Sequence, residues 1–254
     1  MHALLCFSAS HLSHITPTPG VYDVLVYHHK THALSLLQKE LSSLDSVEGM
    51  KDHLVATSSF LATQTLGEFS SSSPSSPNIE WMHLMRGTKA VLEPMWKHRT
   101  QSAFYAEFTY PSREISSSPT ALEKFNLSDV AVHLPAAYTS FVAQLANLID
   151  GLFPERRYLL PPLEHQDQPE FRFAGDVRHR IRDLFVWTVR LPNTFGSRVE
   201  EHDPGILKLL AWSNAAMREL YYVGRDIWWI EKIAQHGVQD VLRFLQDPVS
   251  HLTE

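Results

Sequence analysis

Cysteine is almost absent from this chain: Cys6 stands alone among 254 residues. A single thiol excludes an intramolecular disulfide and fits a reducing compartment. Glycine is scarce, at 10 residues, which disfavours a loop-rich α/β enzyme and suits helices. No apolar run reaches the roughly 18 residues that a membrane-spanning helix requires. The opening MHALLCFSAS is briefly apolar but has no Lys or Arg ahead of it and is soon interrupted, so it makes a poor secretory signal. A basic block is missing as well. The formal charge is −6. The densest basic segment carries Arg172, Arg178, Arg180, Arg182 and Arg190, with Glu170, Asp176 and Asp183 among them. Phosphate binding favours a basic stripe without interspersed acids, so a solvated helix face is the simpler reading.

Catalytic signatures are missing too. No G-x-S-x-G, G-x-G-x-x-G or G-x-x-x-x-G-K-[ST] occurs, and no D-D-x-x-D that would hold magnesium in a helical terpene synthase. His28-His29-x-x-His32 is the best metal candidate, because His28 and His32 lie one helical turn apart. It lacks the Glu of H-E-x-x-H and any Cys partner, which argues against a metal site. Glu219 and Glu231 flank an aromatic segment and could act as acid and base, but such carboxylates are ordinarily surface groups. Cys6 falls on a face expected to be buried, as a core residue. No enzyme activity, cofactor or metal site is expected of this chain.

What the sequence does contain is helical periodicity. The stretch Ile79–Trp96 places Trp81, Leu84, Met85, Thr88, Val91, Leu92 and Met95 at three- and four-residue steps, the period of one buried helix face. Arg86-Gly87 interrupts it. Further helices are predicted over 2–13, about 22–45 and about 48–67. The second carries Tyr27, Thr31, Leu34, Leu37, Leu41 and Leu44 on one stripe. The third carries Leu54, Ser58, Leu61 and Leu66. The longest element carries Leu127, Val130, Leu134, Tyr138, Phe141, Leu145, Leu148 and Leu152. Pro135 should kink or restart it, and Gly151 is its expected C-cap. Val177, Ile181, Leu184, Phe185 and Thr188 mark another helix. Asp203-Pro204 is a helix start, with Asp accepting from free N–H groups and Pro losing no hydrogen bond at the first position. The last helix is predicted to run through Trp228 to the stop at Asp247-Pro248.

Sustained two-residue alternation is nowhere seen, so the fold class is all-α, an irregular bundle of about seven to eight helices. The chain is long enough to bury a substantial core, and residues 1–254 read as a single regulatory or ligand-binding domain. A Ser/Pro linker at 70–77 and loops near 100–119 and 154–169 interrupt it.

The segments HALLCFSASHL, YHHKTHALSLLQKEL, Trp81 with Met85-Arg86-Gly87, and Pro204–Trp212 with Trp228-Trp229 follow one another in this order. Together they resemble the carboxy-terminal regulatory region of fungal zinc-cluster transcription factors, in particular the sterol uptake control regulators. The match runs over nearly the whole chain. Each segment alone is packing; order and spacing carry the likeness. The resemblance implies a nuclear regulator of RNA polymerase II transcription that holds a sterol or other apolar molecule in a helical pocket. It also implies homo- or heterodimeric pairing with zinc-cluster regulators.

Two features depart from that family. Its DNA-binding module is a six-cysteine cluster around two zinc ions, and one cysteine cannot build it because each zinc needs four ligands. Zinc, and direct specific DNA binding, are therefore expected only of a module absent from these residues. Met1 runs straight into helix-like sequence with no capping residue, which reads as the remnant of a longer helix in a truncated or detached regulator. The second departure is Lys232, three residues after Trp229, where relatives often carry a small residue. Trp212, Met217, Tyr221, Tyr222, Trp228 and Trp229 are the candidate ligand-facing residues. Neighbours such as Trp228 and Trp229 point about 100° apart on an α-helix, so burying both calls for packing on two sides. Plain core filling is the simpler account of these rings. A non-DNA-binding helical interaction module that pairs with a full-length relative is the alternative function.

Overall fold

The computed structural model describes residues 1–16, 18, 20–42, 51–69, 76–104, 134–152, 177–223 and 227–246. Among these residues every regular element is helical, so the fold is all-α. Nine α-helices occur: α1 (His2–Ile15), α2 (Asp23–Leu41), α3 (Asp52–Gly67), α4 (Glu80–Met95), α5 (Ala136–Leu152), α6 (Val177–Arg190), α7 (Phe195–Glu200), α8 (Pro204–Val223) and α9 (Glu231–Gln246). Two 3-10 turns, Trp96–Gln101 and Trp228–Ile230, complete the set. The chain forms two compact units. One holds Met1–Phe69 and Glu80–Pro111; the other holds Ser70–Ile79 and Ser112–Glu254.

In the first unit α1 packs on α2 and α3, and α3 on α4. The predicted α3 stripe is buried as expected at Leu54, Ser58, Leu61 and Leu66. So is that of α4: Trp81, Met85, Val91 and Met95 are buried and Leu84, Thr88 and Leu92 half-buried. Arg86-Gly87 does not break α4; Gly87 is exposed and its missing Cβ would meet nothing within 4 Å. Pro94 lies inside the last turn. Its missing N–H removes a helical hydrogen bond, and the chain tightens at once into the 3-10 turn Trp96–Gln101, a common helix-end geometry. Asp52 ties that end to α3 by accepting from the Ser102 hydroxyl at 2.5 Å and the Ala103 N–H at 2.7 Å.

The α2 stripe is borne out only towards its end, where Leu37 and Leu41 are half-buried and pack in the core; Leu44 lies outside the described residues. Tyr27, Thr31 and Leu34 are exposed, and Val26 and Ala33 are the buried positions. The partner decides the face. Helix α1 buries only small side chains, Ala3, Cys6, Ala9 and Ser10, and a close approach of small to small selects Val26 and Ala33 over the longer leucines.

The second unit centres on α8. Residues 205–207, 209–211, 213–217 and 219–220 are all buried, so the helix is enclosed on nearly every side, which no single apolar stripe would do. Its start is the predicted one: Asp203 Oδ1 accepts from the N–H groups of Gly205 at 2.9 Å and Ile206 at 3.2 Å, a side-chain cap. At Gly205 a Cβ would sit 2.9 Å from Leu134 Cδ2, so glycine permits this approach. Helix α5 begins at Ala136, directly after Pro135, as the restart predicts; the stripe upstream of Leu134 lies outside the described residues. From Ile181 on, helix α6 follows its predicted stripe and adds Trp187, 2% exposed, whose indole N–H donates to the Phe141 carbonyl at 2.8 Å. The short α7 was not legible in periodicity, being less than two turns long.

Most of the 70–77 linker, most of the 100–119 loop and all of the 154–169 loop lie outside the described residues, as do Gly224–Asp226 and the Asp247-Pro248 stop. No helix among the described residues is long and apolar enough to cross a membrane.

Candidate functional site

Two features of the second unit bear on ligand recognition: an aromatic turn and a buried polar seam. The aromatic turn is not a continuation of α9. Trp228 and Trp229 lie on a 3-10 turn that precedes the helix, which starts at Glu231. Two adjacent bulky rings lose rotamer freedom in an α-helix, and the tighter turn spreads successive side chains about 120° apart. Ile230 takes the buried position, 1% exposed, while both Trp side chains are half-buried. Trp229 stacks on Phe185 of α6, with centroids 5.5 Å apart and planes at 28°, an arrangement favoured by ring quadrupoles.

The other candidate residues lie along α8. Met217 is fully enclosed at 1% exposure and Trp212 is half-buried. Tyr221 is half-buried, and its hydroxyl donates to Glu231 Oε1 at 2.9 Å, joining the end of α8 to the start of α9. Tyr222 is a correction: at 58% exposure it is not wrapped by other helices. Its ring tilts against Tyr221 at 5.8 Å. Adjacent positions on an α-helix diverge by about 100°, and here only the Tyr221 side faces inward. Lys232 is exposed.

Glu219 also departs from expectation. It is buried, at 5% exposure, beside Arg218 at 3.5 Å. Because α8 is enclosed all round, its polar positions are carried inside with the rest. Glu231 is half-buried and accepts from both Tyr221 and Gln235.

The polar seam runs between α8 and α9, which pack along one another. Asn214 Nδ2 donates to the Gly237 carbonyl at 2.9 Å. Gly237 has no room for a side chain, since a Cβ would fall 2.7 Å from Ile233 Cγ1 and 3.0 Å from Asn214 Nδ2. Asp240, 2% exposed, accepts from the Asn78 N–H at 2.9 Å and from Arg243 at 2.8 Å. Burial pushes its carboxyl above the usual range, and the Asn78 N–H and the Arg243 charge pull it partly back. Ser213 Oγ and Asn214 Oδ1 are buried and accept or donate no hydrogen bond among the described residues. Unpaired buried polar atoms are uncommon and call for an explanation. Ser213, Met217 and Tyr221 recur at four-residue steps, so they share one face of α8.

Sequence reading missed the seam. A signal was present: from Leu209 to Met217, LLAWSNAAM, no charged residue occurs, and small residues dominate where helices approach closely.

The fungal-specific transcription factor domain matches residues 1–173, a span that ends before the polar seam. The match covers more than half of the chain, and the chain belongs to that family. Among relatives, sterol uptake control protein 2 of Candida albicans is 25% identical over 244 residues, covering 92% of this chain and 33% of the relative. The protein of the same name from Saccharomyces cerevisiae is 25% identical over 253 residues, covering 95% of this chain and 25% of the relative. The chain therefore spans about a third and a quarter of the length of these two relatives.

Proposed function

We propose that this chain is the regulatory region of a fungal zinc-cluster-type transcription factor that acts in the nucleus on RNA polymerase II transcription. Membership of the family supports the regulatory class. One cysteine in 254 residues supports a role without direct specific DNA binding, with base readout supplied by a separate zinc module. Sensing of a sterol or a similar apolar molecule is the finer reading. The observation that carries it is the face of α8 on which unpaired Ser213 Oγ stands above Met217 and Tyr221. A sterol-like ligand needs an apolar wall, an adaptable Met and one or two polar atoms for its hydroxyl. The names of the relatives point to the same ligand class.

Tryptophan fluorescence titration with ergosterol tests this. Saturable quenching is expected in the wild type and a clear loss of affinity in Ser213→Ala, Trp228→Ala and Trp229→Ala. An unsaturable wild-type response removes the sensing role. The second reading, a helical module that pairs with a full-length relative, is favoured by a different observation. Eleven of the fourteen exposed large apolar side chains among the described residues fall within residues 1–36. Such concentration is typical of interaction surfaces.

A further inference from the structure

The first unit contains a cluster of imidazoles that the proposed function does not use. His2, at the first position of α1, faces three histidines of α2. Its Nδ1 lies 3.0 Å from Nδ1 of His29, and its ring stacks on His32 with centroids 5.0 Å apart. His28 stands 4.5 Å from His32, 5.1 Å from His29 and 6.4 Å from His2. Among the described residues no three His, Cys, Asp or Glu side chains converge to hold a metal ion. Imidazole is the side chain whose charge changes most readily near neutral pH, and four of them are gathered here. The 3.0 Å contact requires one nitrogen to accept, so at least one of that pair must be unprotonated.

Among the described residues no carboxylate is seen paired with the four rings. On α1 and α2, Asp23 accepts from Ser13 at the other end of the pair, and Glu40 lies 4.0 Å from His53. On α3 and its end, Asp52 accepts from Ser102 and Ala103, and Glu68 is paired with Lys30 at 2.8 Å. Between His53 and Glu68, α3 has no titratable side chain, and what it places against Ala3 and Ala33 is Leu61. The remaining charge facing His2 is positive, the Met1 amino group.

We propose that this cluster makes the docking of α1 on α2 a proton-sensitive latch, closed while the imidazoles are neutral and released as they become charged. The side chains buried where the two helices meet are small, Ala3, Cys6, Ala9 and Ser10 on α1 and Val26 and Ala33 on α2, so charge brought into this contact acts at close range. The direction of the effect follows from His2. Partial burial, then His32, His29, the Met1 amino group and His28, hold its imidazole below the usual 6.5. The docked state therefore binds fewer protons than the open one, so its stability is complete above that value and declines as the pH falls through it.

Cys6 supplies a reporter. It is the only cysteine, fully buried, with its thiol 3.5 Å from the Val26 carbonyl of α2. Hydrogen exchange of the full chain, corrected for intrinsic rates, is compared at about pH 7.5 and about pH 5.5. Protection of α1 should fall relative to α3, by up to about tenfold per pH unit for each proton taken up on opening. Labelling of Cys6 by 4,4′-dithiodipyridine, which still reacts in acid, should accelerate in step, measured against denatured protein at each pH. The double substitution His2→Gln/His29→Gln, which removes the 3.0 Å imidazole pair, should flatten both responses. High salt should shrink the wild-type response, because partly exposed charges are screened. An equal loss of protection in α3 overturns the latch, as does a pH response that survives the double substitution. Protection at about pH 7.5 that vanishes on adding a chelator also overturns it, since the cluster would then be a metal clamp.

Discussion

Helices α1 and α2 meet through alanines, one cysteine and one valine, whereas α8 is enclosed by neighbours over nearly its whole length. Both pairs rely on small residues at the line of contact. In the first unit the small residues cover one narrow strip, and the flanks, with Leu4, Leu5, Val24 and Leu25, remain exposed. In the second, Gly205, Ser213, Ala215, Ala216 and Gly237 let helices close in from several sides, and polar groups such as Asn214 and Asp240 are carried inside. The same residue types thus line one strip of a helix in one place and nearly the whole circumference of a helix in the other. The difference lies in how many helices share the contact.

The comparison can be broken most severely at Trp187. The ring is 2% exposed and anchors α6 to the Phe141 carbonyl of α5. Trp187→Ala should cost about 3–5 kcal/mol. It should shift the unfolding of the second unit in a denaturant titration followed by hydrogen exchange and leave α1–α4 protection nearly unchanged. Equal losses in both units would show that the two fold as one cooperative block.

A smaller effect is expected at Gly237, where the added methyl of Gly237→Ala meets Ile233 and Asn214. Overpacking of this kind costs about 1–3 kcal/mol, more than offsetting the usual helical gain over glycine. Circular dichroism melts of the pair, wild type against variant, provide the check. An unchanged or higher midpoint would mean that the seam can give way, and that α8–α9 is no tighter than α1–α2.

The smallest change is of opposite sign. Gly87 in α4 is exposed and open around the missing Cβ. Gly87→Ala should raise stability by about 0.5–1 kcal/mol through helix propensity alone, visible as a higher denaturant midpoint for the first unit. A loss instead would show that the exposed side of α4 is covered by something.

Much of this architecture was readable in advance. Ile79–Trp96, the α3 stripe and the Asp203-Pro204 cap came out as drawn because period and capping are local properties. The first half of the α2 face differs from its period because Tyr27 and Leu34 outweigh Ala33 in any count of apolarity, while packing against α1 rewards the smaller side chain. The Trp228-Trp229 turn was taken for helix because composition cannot tell an α-helix from a single 3-10 turn. Of the six candidate ligand residues, five are buried or half-buried and Tyr222 points outward. Ser213 falls on the helical stripe with Leu209, Leu210 and Met217, whereas Asn214 lies off it and looks like surface until all sides of its helix are covered. The meeting of His2 with His28, His29 and His32 joins residues 26–30 positions apart, beyond the reach of any periodicity.

The hydrogen bond from the Asn78 N–H to Asp240 joins residues 162 positions apart, and it imposes an order on synthesis. Every described element of the first unit is complete by residue 104. Residues 76–79, within a stretch set between two parts of that unit, belong to the second, and their partner Asp240 is made 162 residues after Asn78. Chain emerges at roughly 5–20 residues per second, so this short stretch waits on the order of ten seconds, in a chain whose neighbouring segments have already folded, for the carboxylate that completes its pairing. A chaperone that recognises nascent chains would meet residues 76–79 in that interval, and a released product cut short of α9 would never bury them.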